Sequence, residues 1–130
     1  MLLAGLAGAA GGGLPSTVMA LARGDDVLDG ARAAGSLLLW RERRTLPLLV
    51  AAVPVHLALS LGWAAAIERV VPRGDELAGG VLGGLAVAAL DLGVIGRRLE
   101  RIRSLPQGRQ WADHVAYGLA VGAVLARRRQ

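Results

Sequence analysis

Three groups of residues in this chain are of types that do chemistry. A lone carboxylate, Asp91, interrupts the otherwise oily run "VAALDLGVIGRR" at residues 87–98. His56 and His114 are the only imidazoles, and His114 directly follows Asp113. Acid and imidazole side chains move protons near neutral pH and hold polar solutes. The third group is "RGDDVLDGAR", with Asp25, Asp26 and Asp29 between Arg23 and Arg32. Carboxylates three apart face one way on a helix and would share a hard cation such as magnesium, with the arginines on phosphate. Such a set would serve an enzyme acting on a phosphorylated lipid or another amphipathic substrate. The simpler reading of these acids is a helix start, where they satisfy free amides and the helix dipole.

The elements that must position these groups are unusually apolar. Hydrophobic residues make up 54% of the 130, above the roughly 45–50% of soluble domains. Four segments carry no arginine: Leu2–Ala22, Leu46–Ile67, Leu77–Gly96 and Trp111–Ala126. The first three match the ~20 residues that cross a ~30 Å hydrocarbon core, and the fourth is marginal. The predicted fold is an all-α membrane protein of four transmembrane helices, with spans at about 2–22, 46–67, 77–96 and 111–126. Residues 1–130 form one integral membrane domain. Met1–Ala22 lacks a basic segment ahead of its apolar stretch, so it reads as a retained first span rather than a cleaved leader. The net charge of +5 would point to nucleic acid in a soluble chain; here the arginines lie between spans, and no nucleic-acid partner is expected. The absence of cysteine excludes disulfides, thiolate metal sites and cysteine nucleophiles.

Arginine placement orients the helices. Five arginines fall between Arg23 and Arg44 and five between Arg97 and Arg109, against two in "ERVVPRGDE". The two rich connections are therefore expected on the cytoplasmic side, with the amino terminus outside. Four crossings place the "RRRQ" tail outside as well, against the rule; a fourth segment that dips in and returns is the alternative. "DDVLDGARAAGSLLLW" reads as an interfacial amphipathic helix over about 25–40, its Trp40 at headgroup depth.

The chain has 19 glycines, each costing about 1 kcal/mol against alanine in a helix interior. In lipid, close backbone approach holds helices together, and Gly80/Gly84 and Gly118/Gly122 have the small-xxx-small spacing for it. Asp91 lies seven positions from Gly84 and eleven from Gly80, within about 20° of both at ~100° per residue. It belongs to the glycine face. Ser16 shares a face with Gly5, Ala9 and Gly12; His56, Ser60 and Trp63 share another; His114 lies with Gly118, Val121 and Leu125. The prediction is a polar pocket toward the cytoplasmic half, lined by Ser16, Thr17, His56, Ser60, Asp91, Asp113 and His114. Asp91 and His56 would be its protonatable pair. Each also has a structural reading: an interhelical hydrogen bond for Asp91, a His56–Ser60 bond, a helix cap for Asp113. Pro15 and Pro54 are expected to kink their helices and release the carbonyls of Gly11 and Val50.

Asp25, Asp26 and Asp29 match the D-D-x-x-D pattern by which prenyltransferases hold magnesium and a diphosphate. "DVLDGAR" also resembles the opening of the CDP-alcohol phosphotransferase motif, then departs from it, because no second acidic motif follows. Over most of its length, in "GLPSTVMAL", "GDDVLDGARAAGSLLL", "HLALSLGW", "ALDLGVIGRR" and "WADHVAYG", the chain resembles a group of small actinobacterial four-helix integral membrane proteins. The resemblance implies the bacterial inner (plasma) membrane and brings no activity or catalytic residue with it. The leading functional reading is binding or transport of a small solute or proton through the polar pocket. The magnesium-dependent enzyme and a non-catalytic accessory subunit are the alternatives. Beyond the lipid bilayer, the expected partner is a second copy of the chain or another membrane subunit.

Overall fold

The computed structural model describes residues 1–130, and its regular structure is entirely helical. In chain order come α1 (Leu2–Gly12), α2 (Leu14–Arg23), α3 (Asp29–Gly35), α4 (Thr45–Val70), α5 (Glu76–Leu90), α6 (Glu100–Arg103) and α7 (Gln107–Arg129). A π-helical turn, Asp91–Ile95, and a 3-10 turn, Gly96–Arg98, continue α5 toward α6. Three stretches are long and apolar enough to cross a membrane: Leu2–Arg23, Thr45–Val70 and Glu76–Arg98, of 22, 26 and 23 residues.

The fourth long helix, α7, reaches well past the apolar segment 111–126 at both ends. Its 23 residues extend about 34 Å at ~1.5 Å each. It is less apolar than the other three because it carries Arg109, Asp113, His114 and the terminal Arg127–Arg129, and it packs against α5, α1 and α2. Its buried stripe is Tyr117, Gly118, Val121, Gly122 and Leu125, on one face at helical spacing.

Glycine sets the closest helix contact. A Cβ on Gly84 would strike the His114 carbonyl, and one on Gly80 would strike the Gly118 carbonyl. From the other side, Gly122 abuts the backbone of Glu76 and Leu77. So α5 and α7 run antiparallel with their backbones in contact. A second close approach joins α3 to α4, where a Cβ on Gly35 would overlap the Leu48 carbonyl.

Several elements differ from expectation. The interfacial helix predicted over 25–40 is only the seven residues of α3. Upstream, the Asp26 carboxylate accepts the Leu28 amide at 2.9 Å and holds a turn. Downstream, the Ser36 hydroxyl donates to the Ala33 carbonyl at 2.6 Å, and the chain leaves the helix where Gly35 meets α4. Trp40 is exposed, its ring covered by the Arg41 guanidinium 4.5 Å from the centroid. The first span is broken at Gly13 instead of kinked. The Gly11 carbonyl accepts the Gly13 amide, and Pro15 occupies the first turn of α2, where its missing N–H costs nothing. Pro54 lies inside an uninterrupted α4.

The core has two parts. Ala4, Ala64, Ile67, Val71, Tyr117, Val121 and Leu125 fill the end of the bundle nearest both termini. A smaller cluster of Ala33, Ala88, Leu92 and Ile102 ties α3 and α6 to the π turn at the opposite end. Between them the helices do not close up.

Candidate functional site

The gap is a cavity of about 830 Å³, and all seven residues assigned to the pocket from sequence line it: Ser16, Thr17, His56, Ser60, Asp91, Asp113 and His114. Its walls are otherwise largely apolar, with Trp63, Tyr117, Val87 and Leu92 at the inner end. At the arginine-rich end the lining includes Arg109 and the half-exposed Asp25, Asp26 and Asp29, and this end is the mouth. Ligand sites commonly enclose about 300–1,000 Å³ with mixed walls of this kind.

Asp91 opens the π turn, whose wider winding is closed by the Gly96 amide donating to the Asp91 carbonyl. π turns inside helices frequently coincide with functional sites. Because Gly84 seats α5 on the His114 backbone, the His114 ring comes beside Asp91, with Nε2 3.5 Å from Oδ2. The other carboxylate oxygen, Oδ1, is buried with no hydrogen-bond partner, as is the Trp63 indole N–H. His114 Nδ1 lies 2.7 Å from the Gln110 carbonyl and so carries a hydrogen that it donates. An interaction with Asp91 therefore needs a second proton, on Nε2 or on the carboxyl.

The pairing of Asp91 with His56 is corrected. His56 hangs from α4, which touches α5 and α7 only lightly, and its Nε2 lies 3.0 Å from the Ala9 carbonyl of α1. Asp91 and His56 share the cavity without sharing a bond. The proposed His56–Ser60 bond is likewise replaced: Ser60 is buried, and its backbone carbonyl accepts the Tyr117 hydroxyl at 2.5 Å. Asp113 does not cap its own helix, which starts at Gln107. Its carboxylate accepts the Ser16 amide at 2.7 Å and so caps α2 from across the bundle. Thr17 and Ser16 turn their hydroxyls to the Gly13 carbonyl, at 2.7 and 3.3 Å.

The magnesium and phosphate assignment is also corrected. Asp25, Asp26 and Asp29 do not converge, and no group of three or more acidic or histidine side chains is placed to hold a metal ion. Asp25 pairs with Arg109 across the mouth, while Asp26 and Asp29 both clasp Arg32. Hydrogen bonds from Arg32, then from the Leu28 amide, hold the Asp26 carboxyl below its ordinary range, and Asp26 in turn raises Arg32. A guanidinium held by two carboxylates has no fork free for phosphate. Arg23 is exposed at the end of α2, outside the cavity lining.

Tyr117, Trp63 and Arg109 line the cavity without being among the seven residues assigned to it, although Trp63 shares the face of His56 and Ser60. Tyr117 and Trp63 look like ordinary span aromatics, although Tyr117 is three residues from His114 and on its face. Arg109 counts among the loop arginines by sequence, yet it is only 8% exposed and its Nε has no partner.

Beyond Tyr117 the cavity ends. Ala64 and Val121 are fully buried, and behind them three ion pairs tie the termini together. Met1 meets Glu68 at 3.0 Å, Arg128 meets Glu68 at 3.5 Å, and Arg129 meets Glu76 at 3.4 Å. Arg129 also donates to the Glu68 and Val71 carbonyls, at 2.8 and 2.9 Å, and so satisfies the end of α4. The arrangement is a chamber open at the arginine-rich end and shut at the other. It can admit and hold a small solute against ionisable groups. No protein family matches the chain, and no curated protein or solved structure is significantly similar to it.

Proposed function

We propose that the chain is a four-crossing inner-membrane protein that binds a small solute in this chamber from the cytoplasmic side. Translocation would follow from reopening at the opposite end. The observation that carries the reading is the cavity itself, which is lined by both imidazoles of the chain and by Asp91 and Asp113. Buried ionisable groups in a membrane are costly and collect around water-filled paths. Support for four crossings comes from α7, which spans the bundle beside α5, and from the tail arginines, which Glu68 and Glu76 pair. Paired charges weaken the argument that "RRRQ" must face the cytoplasm.

The chain has no cysteine of its own, which makes a direct test simple. In oriented membrane vesicles, Thr17→Cys reacts with a membrane-impermeant maleimide from the cytoplasmic face alone. Ala64→Cys reacts from neither. A Thr17→Cys thiol that stays unreactive from both faces of a correctly inserted chain ends the proposal.

A further inference from the structure

Five carboxylates line the chamber against one guanidinium, that of Arg109. The three at the mouth are answered: Asp25 by Arg109, Asp26 and Asp29 by Arg32. The two inside, Asp91 and Asp113, meet no arginine. Asp113 is engaged by the Ser16 amide, which leaves Asp91 with a bare, buried Oδ1 and an imidazole at 3.5 Å. We propose that the Asp91–His114 pair is a site for one positive charge, filled either by a proton or by an apolar organic cation. The inference rests on the chamber being a solute site and names the class of solute.

The tautomer supplies the logic. With Nδ1–H committed to the Gln110 carbonyl, an unprotonated Nε2 points a lone pair at a carboxylate, and the two repel. One added proton turns repulsion into an ion pair or a hydrogen bond. Without that proton the carboxylate needs another cation, and the apolar walls with Trp63 and Tyr117 suit an aromatic or alkyl body around the charge. A metal ion is disfavoured because no third ligand converges.

The other charged and titratable groups facing the pair from each packed element are few. From α7 come Asp113, Tyr117 and Arg109; from α4, His56; from α3 and the loop before it, Asp25, Asp26 and Asp29. α1 carries none, and α2 contributes only serine and threonine hydroxyls to the lining. Arg97, Arg98, Arg101 and Arg103 lie outside the lining. Exchange therefore balances as one cation in and one proton out to the aqueous mouth.

The test uses tetraphenylphosphonium and its anionic counterpart of the same shape, tetraphenylborate. The full chain is placed in phosphatidylcholine nanodiscs, with Trp63 as the reporter in a Trp40→Phe/Trp111→Phe background. Tetraphenylphosphonium quenches Trp63 saturably, releases one proton per cation bound, and loses affinity by up to about tenfold per pH unit as pH falls through the pair's titration. Tetraphenylborate gives no saturable change. Asp91→Asn weakens tetraphenylphosphonium at least tenfold, while Asp91→Glu, which keeps the charge, retains binding and controls for folding. His114→Gln still binds and shows a flat pH profile between about 6 and 8. Equal binding of the two ions, binding without proton release, or full affinity in Asp91→Asn overturns the inference. If neither ion binds while Thr17→Cys still labels from one face, the cation class falls and the chamber stands. If the labelling fails, the chamber reading has failed on its own.

Discussion

Asp113 shows how one side chain can be both a polar lining group and a structural clamp. The first span breaks at Gly13, so α2 starts anew with free amides, and Pro15 removes one of them. The Ser16 amide finds its acceptor on α7, 2.7 Å away. Loss of a side-chain cap typically costs about 1 kcal/mol. Asp113→Ala should lower the stability of the folded chain by about that amount, read from unfolding in detergent. Asp113→Asn, which keeps a carbonyl acceptor, should lose less than half of it. A second consequence separates the two inner acids: Asp113→Asn leaves a neutral acceptor on Ser16 and an intact Asp91–His114 pair.

At the scale of elements, the α5–α7 seam is what makes the site. Backbone contact at Gly80, Gly84, Gly118 and Gly122 leaves no room for side chains, and it sets the π turn against His114. Adding a methyl group to a packed contact costs about 1–3 kcal/mol. Gly118→Ala, whose Cβ would meet the Gly80 carbonyl, should destabilise the protein by that much in thermal unfolding and move Asp91 away from His114. Gly62→Ala is the comparison, because nothing lies within 4 Å of a Cβ there. It should leave stability unchanged or raise it by up to about 1 kcal/mol. Equal effects at the two positions would show that α5 and α7 are not in backbone contact.

For the whole molecule, the two ends of the bundle differ in kind. One is a sealed apolar plug tied by the ion pairs of Met1, Arg128 and Arg129; the other is an open mouth beside the connections 23–44 and 97–109, which together hold ten arginines and five acids. The proposed topology puts both termini at the sealed end. In oriented vesicles, Gln130→Cys should therefore label from the outer face and Ser104→Cys from the cytoplasmic face. Labelling of both from one side would mean that α7 does not cross. Glu68→Gln removes the partner of both the amino terminus and Arg128. Any transport cycle must break those pairs to open this end.

Composition and periodicity alone were enough to establish an all-helical chain with long apolar helices, and to put Asp91 on the face of Gly80 and Gly84. Those properties are local: they follow from hydropathy per residue and from ~100° per residue along one helix. Helical phase also grouped polar side chains by face, and the seven residues so assigned all line one cavity, although Thr17 and His56 remain exposed. What each side chain touches was not local. His114 rather than His56 meets Asp91 because the glycine seam slides α7 against α5, and the register between two helices is written in neither one alone. The same holds for Asp113, which looks like a cap for its own helix and serves another. It holds for the aspartates at 25, 26 and 29 too, whose spacing matches a metal motif but whose arginine partners lie elsewhere in space. Charge pairing and backbone contact act across the fold, so only the tertiary structure could decide them.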